Sequence, residues 1–286
     1  MNFESREFRG VPLLSYSEGP PNGPTMLLLH GVTRCWQDWE PLLPALTSAW
    51  RVVAIDHRGH GGSGRATRYC VTDFVEDIVR FVSQEISAPL VILGHSLGAM
   101  VAAAVAADVP ELVRGVVLED PPFLTMGNRI NGTAWQAQFR GMRDVAQCGG
   151  TKAEMAARLA EIEIPAPGGV SKRLGELRTP AALAWSAECL AKLDPEVLTP
   201  IIDAGWMDGF DFTEVLSRIR CPVLLLQADP LCGGALANHD VDAALAALPS
   251  IQHFHFPGAG HQLHRDRTDA MLVALKTFFD TLSGTI

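Results

Sequence analysis

Several features are scarce in this sequence, and each scarcity narrows what it can be. No apolar run approaches the ~20 residues that a membrane-spanning helix requires; the most apolar helical stretch, Leu97–Ala107, is Ala-rich and far shorter. Met1–Gly10 carries Glu4, Arg6, Glu7 and Arg9 where a secretory signal would place an apolar core. Cysteine occurs at 35, 70, 148, 189, 221 and 232, never as C-x-x-C, a scatter that predicts free thiols in a reducing compartment. A cytoplasmic location is expected. Positive charge is in deficit: 23 Lys and Arg against 32 Asp and Glu give a net charge of −9, which argues against nucleic acid or an anionic membrane surface as partner. Ligand-type residues do not gather at zinc spacing, so neither metal nor other cofactor is expected. No internal repeat or low-complexity tract stands out.

What is present is a globular composition, 48% hydrophobic and 19% charged over 286 residues, enough for one core with an insertion. Short apolar runs at Met26–Leu29, Val52–Ile55, Leu90–Leu93, Val113–Leu118 and Val223–Leu226 read as buried strands. Helical patterns such as Thr72–Ile86 separate them, with Phe74, Val75, Ile78, Val79 and Val82 on one face. Strands with no solvent face, alternating with helices, predict an α/β fold: a mostly parallel sheet covered on both sides. Phe3–Phe8 and Leu13–Tyr16, joined through Arg9 and Gly10, predict an antiparallel edge hairpin.

The rhythm stops after Pro121 and Pro122. From there to about Phe210 no strand is predicted. Helices are expected over Thr133–Gln147, Thr151–Ile162, Thr179–Leu193 and Asp194–Ala204, the last two opened by a capping residue followed by proline, with a loop over Pro165–Gly169. Strand rhythm resumes at Cys221-Pro222. The predicted organisation is therefore a core of residues 1–120 and 211–286 and a helical insertion over 121–210.

Ser96 lies in Gly94-His95-Ser96-Leu97-Gly98, a G-x-S-x-G pattern directly after the strand Leu90–Leu93 and at the start of the Ala-rich helix. A serine on so sharp a turn needs glycine neighbours and a strained backbone, and the helix N-terminus sets N–H groups beside its hydroxyl. His30-Gly31-Val32 ends the strand Met26–Leu29, where a backbone N–H points toward the same spot as that of Leu97; two such donors stabilise a tetrahedral oxyanion. His30 itself is expected to order the loop. His261, in the glycine-rich loop Pro257–His261 after the strand-like Gln252–Phe256, is the candidate base, with His264 as its competitor. The loop Asp56–Ser63 lacks the Lys-Ser/Thr of a phosphate loop and reads as a structural turn with internal Asp–Arg pairing.

Two aspartates are candidates to orient the histidine: Asp229 after Val223–Leu226 and Asp120 after Val113–Leu118, both outside the carboxyl ends of strands. Asp229 is preferred, because its loop runs into Cys232-Gly233-Gly234 and can bend toward His261. Asp120, the alternative, precedes two prolines that a rigid turn explains.

Taken together, His30-Gly31, the Asp56–Ser63 loop, Gly94–Gly98, Ala228-Asp229-Pro230 and Gly258–His261 resemble the α/β-hydrolase superfamily over nearly the whole chain, in that family's order. The resemblance implies an eight-stranded sheet, a helical cap over residues 121–210, a triad of Ser96, Asp229 and His261, and an oxyanion hole from the backbones of Val32 and Leu97. Serine at the elbow sets the chain apart from epoxide hydrolases and haloalkane dehalogenases of this fold, which carry aspartate there. The activity expected is hydrolysis of carboxylic esters with small to medium apolar acyl groups through an acyl-enzyme on Ser96. A lactonase, for instance on acyl homoserine lactones, is the alternative, and a ligand receptor with residual turnover is another. Thr33, Trp135, Phe139, Trp185, Trp206 and Leu231 are candidate pocket residues, with Met207 and Phe210 as further aromatic or soft apolar positions in the insertion.

Overall fold

A computed structural model describes residues 2–166, 169–248 and 250–283. The described residues form ten strands: β1 (Asn2–Phe8), β2 (Val11–Glu18), β3 (Thr25–Leu29), β4 (Arg51–Ile55), β5 (Leu90–His95), β6 (Val113–Glu119), β7 (Glu163–Ala166), β8 (Val170–Arg173), β9 (Val223–Ala228) and β10 (Ile251–Phe256). Eight form one sheet in the order β1-β2-β4-β3-β5-β6-β9-β10. From β4 to β10 all neighbours are parallel, while β2 meets both β1 and β4 antiparallel. The β1–β2 hairpin closes through Arg9 at φ 53° and Gly10 at φ 76°, the two positive φ values that a tight two-residue hairpin loop requires.

The central strands β3, β4, β5, β6 and β9 are largely apolar because both faces are covered. Leu27, Leu29, Val53, Ile55, Ile92, Val116 and Leu225 join the core under the helices Val71–Glu85 and Leu97–Asp108. Their alternates Met26, Leu28, Val52, Ala54, Val91, Leu93, Val117 and Leu224 pack on the opposite side with Met271, Leu275 and Phe278 of the helix Thr268–Ser283. This two-residue alternation is the pleat. The expected sheet is thus the observed one. No helix among the described residues is long and apolar enough to cross a membrane.

Between β6 and β9 the chain is helical at Ala134–Cys148, Lys152–Ala160 and Pro180–Leu190. Thr133, Thr151 and Thr179 cap them, each side chain accepting from the backbone N–H three residues on. Two expectations need correction. The insertion does contain strand: β7 and β8 pair as an antiparallel hairpin, so Pro165 and Ala166 of the expected loop are extended, while Pro167 and Gly168 lie outside the described residues. Strands of four residues, with β8 exposed throughout, offer little alternation to read. The helix expected over Asp194–Ala204 is instead a 3₁₀ turn, Pro195–Leu198, followed by a short helix, Thr199–Ile202; Pro200 lacks the N–H for a continuous ladder.

Candidate active site

Ser96 occupies the turn between β5 and the helix Leu97–Asp108 with φ 53° and ψ −115°, a conformation that costs a non-glycine residue roughly 1–3 kcal/mol. Its surroundings enforce it. A Cβ on Gly98 would stand 1.9 Å from the carbonyl oxygen of Leu29, and one on Gly94 2.1 Å from that of Gly98. The helix therefore starts in direct contact with the end of β3. The Ser96 N–H donates to the Glu119 carbonyl at 2.9 Å, tying the turn to the end of β6. A Cβ on Gly31 would meet His95 Nδ1 at 2.7 Å and Ser96 Cβ at 3.1 Å, so the loop after β3 lies directly on the elbow. Within that loop Arg34 N–H donates to Gly31 O and Thr33 N–H to His60 Nε2. Among the described residues no acceptor takes the N–H of Val32 or of Leu97.

His30 orders this region as expected. Its Nδ1 lies 2.8 Å from Gly31 O and its Nε2 accepts from His57 N–H. The Asp56–Ser63 loop is structural, but its pairing differs from expectation. Asp56 accepts from the backbone N–H groups of Trp36 and Gly62, while Arg58 forms a two-pronged pair with Asp77 at 2.6 Å on each arm.

His261 Nδ1 lies 2.6 Å from Asp120 Oδ2. Asp120 is wholly buried, with φ 43°, and also accepts backbone N–H bonds from Ala228, Ala235 and Leu236. The preference for Asp229 is thereby corrected to the alternative, Asp120. Asp229 caps the turn Pro230–Cys232, accepting from Leu231 N–H and Gly258 N–H at 2.9 Å each; these bonds hold its carboxyl below its ordinary value. That carboxylate shapes the loop carrying the histidine without reaching the ring. His264, the competing base, is also reassigned. Its Nδ1 faces both oxygens of Glu119, at 2.8 and 2.9 Å, and its Nε2 faces Asp38 at 3.1 Å. Burial opposes its charge, but Glu119 and Asp38 together outweigh that and push its pKa up to about 9. An imidazolium between two carboxylates has no lone pair for a serine proton. Ligand-type atoms of Asp38, His95 and His264, all buried, lie within 4.8 Å of one another; as arranged, His264 is engaged by Asp38 and Glu119.

Ser96 and His261 line one cavity of about 40 Å³, together with Val32, Thr33, Trp135, Phe139 and Trp206. Trp135 meets the His261 ring edge-on at 5.3 Å between centroids. Two expected pocket residues fall elsewhere. Trp185 donates its Nε1–H to Asp38 and lies against Arg265; Leu231 is 96% exposed and borders a neighbouring cleft of about 350 Å³. Sequence reasoning missed Arg34, Gln138, Arg178 and Gln262 in the cavity wall. Only Arg34 carried a signal, its place four residues after His30 in the loop laid over the elbow.

A hydroxyl on a strained elbow, an imidazole anchored at Nδ1 by a carboxylate, and two backbone N–H groups with no acceptor among the described residues are the kinds of donor and acceptor that acyl transfer uses. Similarities to known proteins agree with this architecture. The chain is 28% identical over 273 residues to 2-(acetamidomethylene)succinate hydrolase of Mesorhizobium japonicum, covering 91% of this chain and 89% of that protein. The structure of N-formylmaleamic acid deformylase from Pseudomonas putida superposes with a TM-score of 0.75 at 20% identity, covering 96% of this chain and all of that one. That of the enol-lactonase from Burkholderia xenovorans gives 0.72 at 19% identity, over 97% and 100%. The profile of the family described as alpha/beta hydrolase fold matches residues 24–268, and with this sheet and elbow in place the chain belongs to that family and is a hydrolase of it.

Proposed function

We propose that the protein is a serine hydrolase that cleaves small carboxylic esters through an acyl-enzyme on Ser96. The observation that carries this reading is His261, held at Nδ1 by the buried Asp120, lining one cavity with an elbow serine. Asp120 keeps the proton on Nδ1 of His261, leaving Nε2 as the base. Ser96 Oγ attacks the ester carbonyl as His261 takes its proton. The carbonyl oxygen, now negative, is held by the N–H groups of Val32 and Leu97. Collapse expels the alcohol, which receives the proton from His261, and water repeats the cycle on the acyl-enzyme. A cavity of about 40 Å³ supports a short acyl group. The insertion, supplying Trp135, Phe139 and Trp206 to the wall, acts as a cap that excludes water.

A second reading, hydrolysis of a small amide, is favoured by the likeness over most of both chains to a hydrolase named for an acetamidomethylene substrate. The test is a panel of 4-nitrophenyl esters of rising chain length, beside 4-nitroanilides and homoserine lactones, with Ser96→Ala as control. We expect short esters to be cleaved fastest, Ser96→Ala to lose about 10⁶ in turnover, and an organophosphonate probe to label Ser96 alone. A fully active alanine variant or labelling at another residue would refute the assignment.

A further inference from the structure

The cavity over Ser96 holds more positive charge than an apolar acyl group calls for. Arg34 enters from the loop after β3, and Arg178 from the inserted segment, between the helical turn Leu174–Leu177 and the helix Pro180–Leu190. Their partners are neutral. Arg34 Nη1 donates to Ser186 Oγ at 3.0 Å, and its Nε and Nη2 donate to Gln262 Oε1 at 2.9 and 3.2 Å. Arg178 makes a backbone bond to Leu174 O, and among the described residues no side chain pairs with its guanidinium. Neither arginine is ion-paired with a carboxylate of the described residues. The contrast with Arg58 is direct: that residue, fully buried, is matched on two arms by Asp77, whereas Arg34 and Arg178 are half-buried at the cavity wall with no carboxylate on either. Burial and the like charge of Arg34 both pull the Arg178 pKa down, with only Asp266 opposing. Two guanidiniums left unmatched at the wall of a catalytic cavity make a site for an anion, and the planar fork of arginine fits a carboxylate best.

We infer that the acyl portion of the substrate carries a free carboxylate, clamped between Arg34 of the core and Arg178 of the insertion. The substrate class is then the half-ester of a short dicarboxylic acid such as succinic or glutaric acid. This replaces the apolar acyl chain expected from the sequence. The apolar wall of Val32, Met126, Phe139 and Met142 encloses the linking methylenes. The adjoining cleft, which shares Trp135, Gln138 and Arg178 with the cavity, has room for the leaving alcohol.

The inference rests on Ser96 being the nucleophile, so the test has one arm that needs turnover and one that does not. In the first, kcat/KM is compared for mono-4-nitrophenyl glutarate and 4-nitrophenyl valerate, which differ by carboxylate against methyl. We expect roughly a ten- to hundredfold preference for the glutarate, as a charge-assisted pair provides. That ratio should collapse toward one in Arg178→Met and return in part in Arg178→Lys. In the second, calorimetry on Ser96→Ala measures binding of glutarate and valerate, with the same ratio and the same dependence on Arg178. A ratio near one in the wild type, or one that persists in folded Arg178→Met, overturns the clamp. Esters that stay intact while glutarate binds through Arg178 refute the ester reading and uphold the clamp.

Discussion

Asp120→Asn is the substitution that most directly tests the proposed triad. The Asp120 carboxylate receives four contacts: Ala228 and Leu236 N–H on Oδ1 at 3.1 and 3.3 Å, Ala235 N–H on Oδ2 at 2.7 Å, and His261 Nδ1 on Oδ2 at 2.6 Å. Every one is met by an acceptor, and asparagine retains only one oxygen. If the amide oxygen stays toward Ala228 and Leu236, its NH₂ faces the N–H of Ala235 and the imidazole. His261 must then accept at Nδ1 and carry its proton on Nε2, the wrong tautomer for a base. If the amide is reversed, the NH₂ faces two backbone donors instead. Either way a fully buried site has mismatched donors, costing about 1–3 kcal/mol in stability. In the serine-protease triad the corresponding exchange lowers kcat by ~10⁴, about 5 kcal/mol in the barrier. We expect Asp120→Asn to fold, to melt below the wild type, and to lose ~10³- to 10⁴-fold in kcat on a 4-nitrophenyl ester. Asp229→Asn should stay within about threefold, because its bonds go to Leu231 and Gly258 N–H at the surface. Circular dichroism and thermal melts establish folding before rates are compared. Near-wild-type turnover in Asp120→Asn, with severe loss in Asp229→Asn, would show that the observed pair is not the working one.

The Asp38–His264–Glu119 network predicts a pH signature. Because the folded pKa of His264 is raised from 6.5 to about 9, its contribution to stability is complete below pH 6.5 and lost as pH climbs through 9. The melting-temperature gap between wild type and His264→Gln should therefore be widest at pH 6 and narrow toward pH 10; a gap independent of pH would contradict a charged His264. Gly98→Ala tests the close approach of the helix to β3. Its Cβ would lie 1.9 Å from Leu29 O and 2.8 Å from His30 O, both backbone, so we expect a loss of several kcal/mol or no soluble protein, and an alanine variant with wild-type stability would refute the packing.

The same network ties the elbow to its surroundings. Glu119 holds His264 with its side chain and the Ser96 N–H with its carbonyl. Asp38 reaches Trp185 Nε1 in the insertion and Arg265 beside His264. Core, insertion and the histidine loop are thus joined through buried charges beneath the cavity, where a satisfied network confers more order than stability.

Much of the protein was legible in local sequence because local physics decides it. Apolar runs at β3, β4, β5, β6 and β9 can exist only as strands covered on both faces. Threonines 133, 151 and 179 announce their helices by capping them, and Gly94, Ser96 and Gly98 mark a turn that tolerates no other spacing. His261 stood out because a histidine in a glycine-rich loop past the last strand overhangs the sheet. Its acid did not, since Asp120 and Asp229 each follow a parallel strand, and the strands are neighbours, β6 beside β9. Strand position alone leaves them equivalent. Only the tertiary structure separates them, by spending one carboxylate on a surface turn and turning the other, at positive φ, into the interior against the histidine. That Arg178 joins Arg34 was invisible for a deeper reason: the two lie 144 positions apart, and no local pattern registers that two like charges line one cavity with neither ion-paired to a carboxylate of the described residues.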